Sequence, residues 1–258
     1  MKYIKLFEDY EHDQICSICE KYKIKNYSIR DDNKVDVNGS VLLNGRNLTE
    51  LPLKFGKVNG DFLIQDNKLT TLKGCPSHVS GRFSCSSNNL TNLLGSPRTV
   101  NSSYRCAFNN LTSLTGAPQM ILDGFYCNNN QLTSLIDGPE KIGNDYYCHD
   151  NKLLNLEGAP TLIPRYFKCD RNDFISLSGF PKSYKELFID DKHRIILNIF
   201  KDNLDLLNEF YNFNIIRDIK DEIPTLSLRR FNLFIDTYEL DEISSNDMYF
   251  LKKYYNII

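Results

Sequence analysis

Apolar residues return along this chain at a fixed interval of 21, with polar residues and turn formers between them. The register holds from residue 37 to residue 183 without an insertion, giving seven copies. The clearest are 100–120, VNSSYRCAFNNLTSLTGAPQM, and 121–141, ILDGFYCNNNQLTSLIDGPEK. The first apolar column is Val37, Val58, Val79, Val100, Ile121, Ile142 and Ile163. Four positions on stands a bulky column, Val41, Phe62, Phe83, Tyr104, Phe125, Tyr146 and Phe167. Two further on come Leu43, Ile64, Cys85, Cys106, Cys127, Cys148 and Cys169. Asn67, Asn88, Asn109, Asn130, Asn151 and Asn172 follow three positions later, then two leucine-dominated columns. A Gly (74, 95, 116, 158, 179) and a Pro (76, 97, 118, 139, 160, 181) close the unit.

A fixed period of roughly 20–50 residues is the mark of a solenoid. The bulky and Cys columns lie two apart, so both point to one side of a short strand while the residue between them points to the other. A period this short predicts one strand and a tight return per coil. Stacked coils then form a parallel sheet with rungs about 4.8 Å apart, and no coil can bury its apolar side alone. The Asn column fits a coil corner, where a short amide can bond the backbone of adjacent rungs.

The spacing bulky-x-apolar-x-x-Asn-x-Leu-x-x-Leu resembles the leucine-rich repeat. It covers more than half of the 258 residues, and the Leu-Thr-x-Leu-x-Gly-x-Pro stretch is most similar to bacterial and bacteriophage repeats. The resemblance implies an α+β repeat solenoid, a right-handed coil with a parallel sheet of short strands. An N-terminal α/β cap (1–36) and a C-terminal helical cap (184–258) are expected, because bare end rungs would expose apolar side chains and a strand edge. In the first, helical spacing predicts one or two short helices, then a strand through Ile24 to Ile29 and a turn at Asp31-Asp32-Asn33. In the second, the last coil fades at Tyr184, Leu187, Phe188 and Ile189. Helices are then expected over Lys192 to Lys201, Leu204 to Phe213, Ser227 to Glu239 and Ser245 to Tyr255, with Pro224 breaking the run.

Composition narrows the function. With 31 basic and 33 acidic residues the formal net charge is −2, which lacks the basic footprint of a dedicated nucleic-acid binder. No apolar run approaches the length of roughly 18 residues that marks a membrane helix, so no transmembrane span is expected. The opening MKYIKLFEDYEHDQ turns acidic at once, unlike a secretory signal, and a cytoplasmic setting with reduced thiols follows. The same opening resembles leaders on proteins of large tailed bacteriophages, some of which are cleaved after Ile-x-Glu; Ile18-Cys19-Glu20 has that form. The resemblance implies a phage-encoded protein in the host cytoplasm, or one carried in the virion.

Of eight cysteines, five stand in one inward column that Leu43 and Ile64 also occupy. A straight ladder cannot wrap four thiolates around one zinc, so these read as core. Cys16-x-x-Cys19 lacks the second pair a zinc site needs, and no metal or cofactor is expected. The Asn-Leu-Thr triplets at 47, 89 and 110 and Asn101-Ser-Ser match the glycosylation pattern but arise from the repeat, and read as unmodified. His12, His78, His149 and His193 sit in no catalytic motif. Some bacterial effectors pair similar repeats with a Cys-dependent ubiquitin ligase domain. From residue 184 onward there is no Cys, so that activity has no nucleophile here.

The informative positions are those packing leaves free. The outward column of the sheet reads Leu42, Leu63, Ser84, Arg105, Tyr126, Tyr147, Lys168, flanked by Arg82, His149 and Tyr166. Tyr and Arg dominate binding hot spots. Arg82, Arg105, Tyr126, Tyr147, His149, Tyr166 and Lys168 are therefore the candidate site of a non-enzymatic scaffold whose concave sheet grips a host or phage protein. Two other readings are an internal head protein and a small anionic-ligand binder, such as a nucleotide sponge, using Arg82, Arg105, Lys168 and the tyrosines. The oligomeric state stays open.

Overall fold

A computed structural model describes residues 2–200, 205–212, 216–220, 223–238 and 245–257. The chain opens with helix α1 (Lys2–Lys21), followed by β1 (Tyr27–Ile29) and β2 (Val35–Val37). Short strands then alternate through the repeats: β3 (Val41–Leu42), β4 (Phe55–Val58), β5 (Phe62–Leu63), β6 (His78–Val79), β7 (Phe83–Ser84), β8 (Thr99–Val100), β9 (Tyr104–Arg105), β10 (Met120–Ile121), β11 (Phe125–Tyr126), β12 (Lys141–Ile142) and β13 (Tyr146–Tyr147). Two longer strands, β14 (Leu162–Lys168) and β15 (Ser183–Phe188), end the series.

These strands form a parallel-sheet β-solenoid of about seven turns at a 21-residue spacing. The period predicts one strand per coil; there are two, and hence two sheets. The first has the order β1-β2-β4-β6-β8-β10-β12 and the second β15-β14-β13-β11-β9-β7-β5-β3. The reason is the gap of four between the first apolar column and the bulky column. Both columns point inward (Val79 and Phe83 are fully buried), so the three residues between them must bend the chain, and each arm ladders separately with the next coil. Register is strict: Val79 pairs with Val100, Phe83 with Tyr104 and Phe125 with Tyr146, each one repeat apart.

The interior is filled column by column. The bulky column makes a continuous ring stack, with centroids 4.8 Å apart for Phe83–Tyr104, 5.6 Å for Tyr104–Phe125 and 5.5 Å for Phe125–Tyr146. Cys85, Cys106, Cys127, Cys148 and Cys169 are fully buried and unpaired, filling the volume that Leu43 and Ile64 fill in the first two coils. Burial pushes their thiols well up from the ordinary range, as an apolar surrounding must for an ionisable group.

The Asn column does what a corner amide should. The Asn130 amide donates to the carbonyls of Cys106 (3.1 Å) and Cys127 (3.0 Å), and its Oδ1 accepts from the Leu111 N–H at 3.0 Å. The same donations recur at Asn88, Asn109, Asn151 and Asn172, so each amide staples its own rung to the one before. The residue just before each Asn is held at φ between 53° and 58°, from Asp66 to Arg171, which swings the side chain inward. In the closing turn, Gly158 lies at φ 92° and a Cβ there would stand 2.5 Å from the Leu135 carbonyl oxygen. Only Gly allows the coils to approach this closely.

At the N-terminal end a single 20-residue helix replaces the one or two short ones expected. Its Ile15 and Cys19 are buried and Ile18 packs on the same core. The strand expected from Ile24 starts only at Tyr27, because Asn26 turns the chain at φ 52°. It pairs antiparallel with β2 around the Asp31–Asn33 turn.

Beyond the coils lie α2 (Asp191–Ile199), α3 (Asp205–Asn212), β16 (Ile216–Lys220), β17 (Ile223–Leu226), α4 (Leu228–Thr237), α5 (Ser245–Tyr254) and β18 (Asn256–Ile257). These helices match the four expected, with Lys201, Leu204, Phe213 and Glu239 at their limits lying outside the described residues. The all-helical reading needs correction, since β16, β17 and β18 form a mixed three-stranded sheet. Pro224 sits inside β17, opposite Ile219, beside a shift in register. Phe200, Phe210, Phe231 and Phe234 interlock here, with ring centroids 5.1 Å apart for Phe200–Phe210 and 5.8 Å for Phe210–Phe231. Among the described residues, no helix is long and apolar enough to cross a membrane.

Candidate functional site

The second sheet turns its outward column into a ladder of rings and cations. Strand register places Arg105 beside Tyr126, Tyr126 beside Tyr147, Tyr147 beside Lys168 and Lys168 beside Phe188. The Arg105 guanidinium lies 4.8 Å from the centre of the Tyr126 ring. Tyr126 meets Tyr147 edge to face, with centroids 4.9 Å apart and planes at 78°. The Lys168 Nζ stands 5.0 Å from the Tyr147 ring and 4.7 Å from Phe188. Each contact is a favourable cation–π or edge-to-face geometry.

Small side chains make the floor of this face. Ser84, Ser103 and Asn128 are buried, as is Asp145. Asp145 is the anchor the sequence did not single out. Its carboxylate accepts from the Tyr126 hydroxyl at 3.1 Å and from the Tyr166 backbone N–H at 3.3 Å. Burial, then the Asp145 charge, push the Tyr126 phenol far above its usual range, so Tyr126 is a neutral donor and no nucleophile.

The seven expected residues are not one cluster. Arg105, Tyr126, Tyr147 and Lys168 share the column. Tyr166 flanks it, edge-on to Phe188 at 6.2 Å and under Arg165 at 4.5 Å. His149 flanks the other side at 6.0 Å from the Tyr147 ring. It is tied at Nδ1 to the Asp150 carboxylate at 2.7 Å and stands 3.2 Å from Arg171 Nη2. Arg82 departs from expectation: it is clamped on Asp61, with Nη2 2.7 Å and Nε 3.1 Å from Oδ2, and does not join the ladder. Asp61 lies one rung away in the same column, and a partly buried carboxylate captures the nearest guanidinium.

Three contributors were not legible. Phe188 follows Lys168 by one position less than a full repeat and so falls off the register. Asp145 looks like any polar position in its column. Arg171 holds the left-handed corner position and pairs with both Asp150 and Asp170. Arg171 first and His149 after it hold the Asp150 carboxyl down at about 2, so this outer edge of the face is a closed ion network. By contrast, among the described residues neither Arg105 nor Lys168 forms an ion pair.

The face offers cations, phenol donors and ring edges, which suit non-covalent recognition. Two histidines approach a hydroxyl or thiol: His78 Nδ1 stands 2.6 Å from the Thr99 hydroxyl on the first sheet, and His12 Nδ1 stands 3.7 Å from Cys16 Sγ, one turn along the exposed side of α1. Among the described residues, no group of three or more His, Cys, Asp or Glu side chains is arranged to hold a metal ion. The fold defines the class as a parallel-sheet β-solenoid on a 21-residue repeat. No family model, no curated protein and no solved structure matches the chain.

Proposed function

We propose that this protein is a non-enzymatic scaffold of leucine-rich-repeat type that binds another protein through the outer face of its second sheet. On this reading α1 with its hairpin caps one end of the coils, and the segment from 184 onward caps the other. The observation that carries it is the unbroken column Arg105–Tyr126–Tyr147–Lys168, in which two unpaired cations are held rigid over aromatic rings. Such residues supply large contact area at little entropic cost, and the ladder fixes them before a partner arrives. The anionic small-molecule reading is weaker, since Arg82 is already committed to Asp61. The opening decapeptide supports a phage source, with the host cytoplasm as the site of action and the virion as the alternative.

The test is a pulldown from bacterial lysate with the tagged protein and its Arg105→Ala, Tyr126→Ala, Tyr147→Ala triple variant. Loss of a specific captured protein, with the unfolding temperature of the coils retained, supports the face. Unchanged capture retires it.

A further inference from the structure

The two cations of the ladder are spaced in a way that selects a ligand. The backbone positions of Arg105 and Lys168 lie in one column three rungs apart, roughly 14 Å at about 4.8 Å per rung, with the Arg105 guanidinium reaching over the Tyr126 ring from its own rung. An extended polypeptide advances about 3.4 Å per residue and repeats its side-chain direction every two. Four residues therefore span about 13.6 Å and return to the same side. The two spacings coincide, and the intervening residue i+2 falls at about 6.8 Å, between the Tyr126 and Tyr147 rungs at about 4.8 and 9.6 Å.

We propose that the partner presents an extended segment with two carboxylates four residues apart, lying along the column from Arg105 to Lys168 with an apolar side chain against the tyrosines. This rests on the binding-face reading above and specifies its ligand. Charge complementarity supports it, because the carboxylates of the face are mostly committed. Asp145 is bonded to Tyr126, Asp150 and Asp170 to Arg171, and Asp61 to Arg82. Within the column, Arg105 and Lys168 are the cations left to answer a ligand's charge, with Arg165 over the Tyr166 ring at its flank. A single-stranded nucleic acid fits less well. The Tyr126 and Tyr147 rings lie at 78° to one another, so they form no continuous platform on which successive bases could stack. A phosphate at every step would also bring charge against Glu186, which pairs with Tyr166 on the neighbouring strand.

Fluorescence anisotropy at low salt, with three labelled probes, tests this. The first is the nonapeptide Gly-Ser-Glu-Thr-Val-Thr-Glu-Ser-Gly. The second has the same composition with its glutamates two apart, Gly-Ser-Thr-Glu-Val-Glu-Thr-Ser-Gly, and the third is a nine-nucleotide oligothymidine. The expected result is that the first binds at least about fivefold more tightly than the second. Arg105→Gln and Lys168→Gln should each erase that preference, while Lys141→Gln, on the other sheet, should not. Equal binding of the two peptides, equal loss with Lys141→Gln, or tighter binding of the oligothymidine overturns the proposal. If no peptide binds but the triple-alanine variant still loses its captured protein, the ligand assignment falls and the binding face stands.

Discussion

Ser96 and Tyr104 share a hydrogen bond of 2.6 Å between Oγ and the phenolic oxygen, inside the coil stack. Two rungs further on, Tyr146 holds the same column, but the position equivalent to Ser96 is Gly138. The Tyr146 hydroxyl is buried and finds no partner among the described residues. One column thus contains a satisfied phenol and an orphaned one.

The difference predicts opposite signs for one substitution. Tyr104→Phe should cost about 1 kcal/mol, the ordinary worth of a buried hydrogen bond, whereas Tyr146→Phe should be neutral or stabilise by about 1 kcal/mol by removing an unpaired polar group. Urea unfolding of the two variants against the parent checks this. Equal losses in both would show that Tyr146 has a partner after all.

The corner amides should be the most sensitive polar positions. Asn130→Ala strands the Leu111 N–H and leaves the Cys106 and Cys127 carbonyls with the Asn109 and Asn151 amides alone, and roughly 1–3 kcal/mol should be lost. Replacing the half-buried Ser87, which holds the equivalent position before Asn88 and whose φ of 54° suits Gly, with Gly should change stability little. Denaturation midpoints of the pair give the comparison.

Thiol chemistry reads the core directly. Cys16 and Cys75 are partly exposed and the other six cysteines are buried. Ellman's reagent should therefore modify no more than two thiols in the native protein and all eight after unfolding. Rapid labelling of Cys106, Cys127 or Cys148 in the folded protein would contradict the stacking.

Stability should fall on mild acidification. His193, in α2, packs edge-on to Phe174 at 5.5 Å, and neither ring nitrogen has a partner among the described residues. Burial, then the Lys192 charge, pull its pKa down to about 3 from an ordinary 6.5. The folded protein keeps His193 neutral while the unfolded chain takes up a proton below about 6.5. Stability is thus fully present above about pH 6.5 and drains as pH falls toward 3, by up to about 1.4 kcal/mol per pH unit. His193→Phe should flatten that slope in thermal melts between pH 7 and 4.

The repeat was legible because each column answers to one local demand that returns in every coil. An inward Val, a ring, a mid-sized thiol, a corner amide and a positive-φ Gly each mark themselves by recurrence. The outward column was legible for the same reason, once the inward ones were subtracted. Features outside the register were not. Phe188 comes one position early, and the strands β16 to β18 are short, with a Pro in one and no period-2 alternation to announce them.

By itself the sequence determined that stacked coils exist, which residues point inward, and which side chains are left outside. Only the tertiary structure decided that each coil folds into two arms and two sheets, because the direction of a three-residue bend depends on the coil beneath it. It also decided which outer charges are already paired. Arg82 closes on Asp61 while Arg105 stays unpaired over Tyr126, since an ion pair depends on which side chains adjacent rungs bring within about 4 Å, and that distance is set by packing across coils.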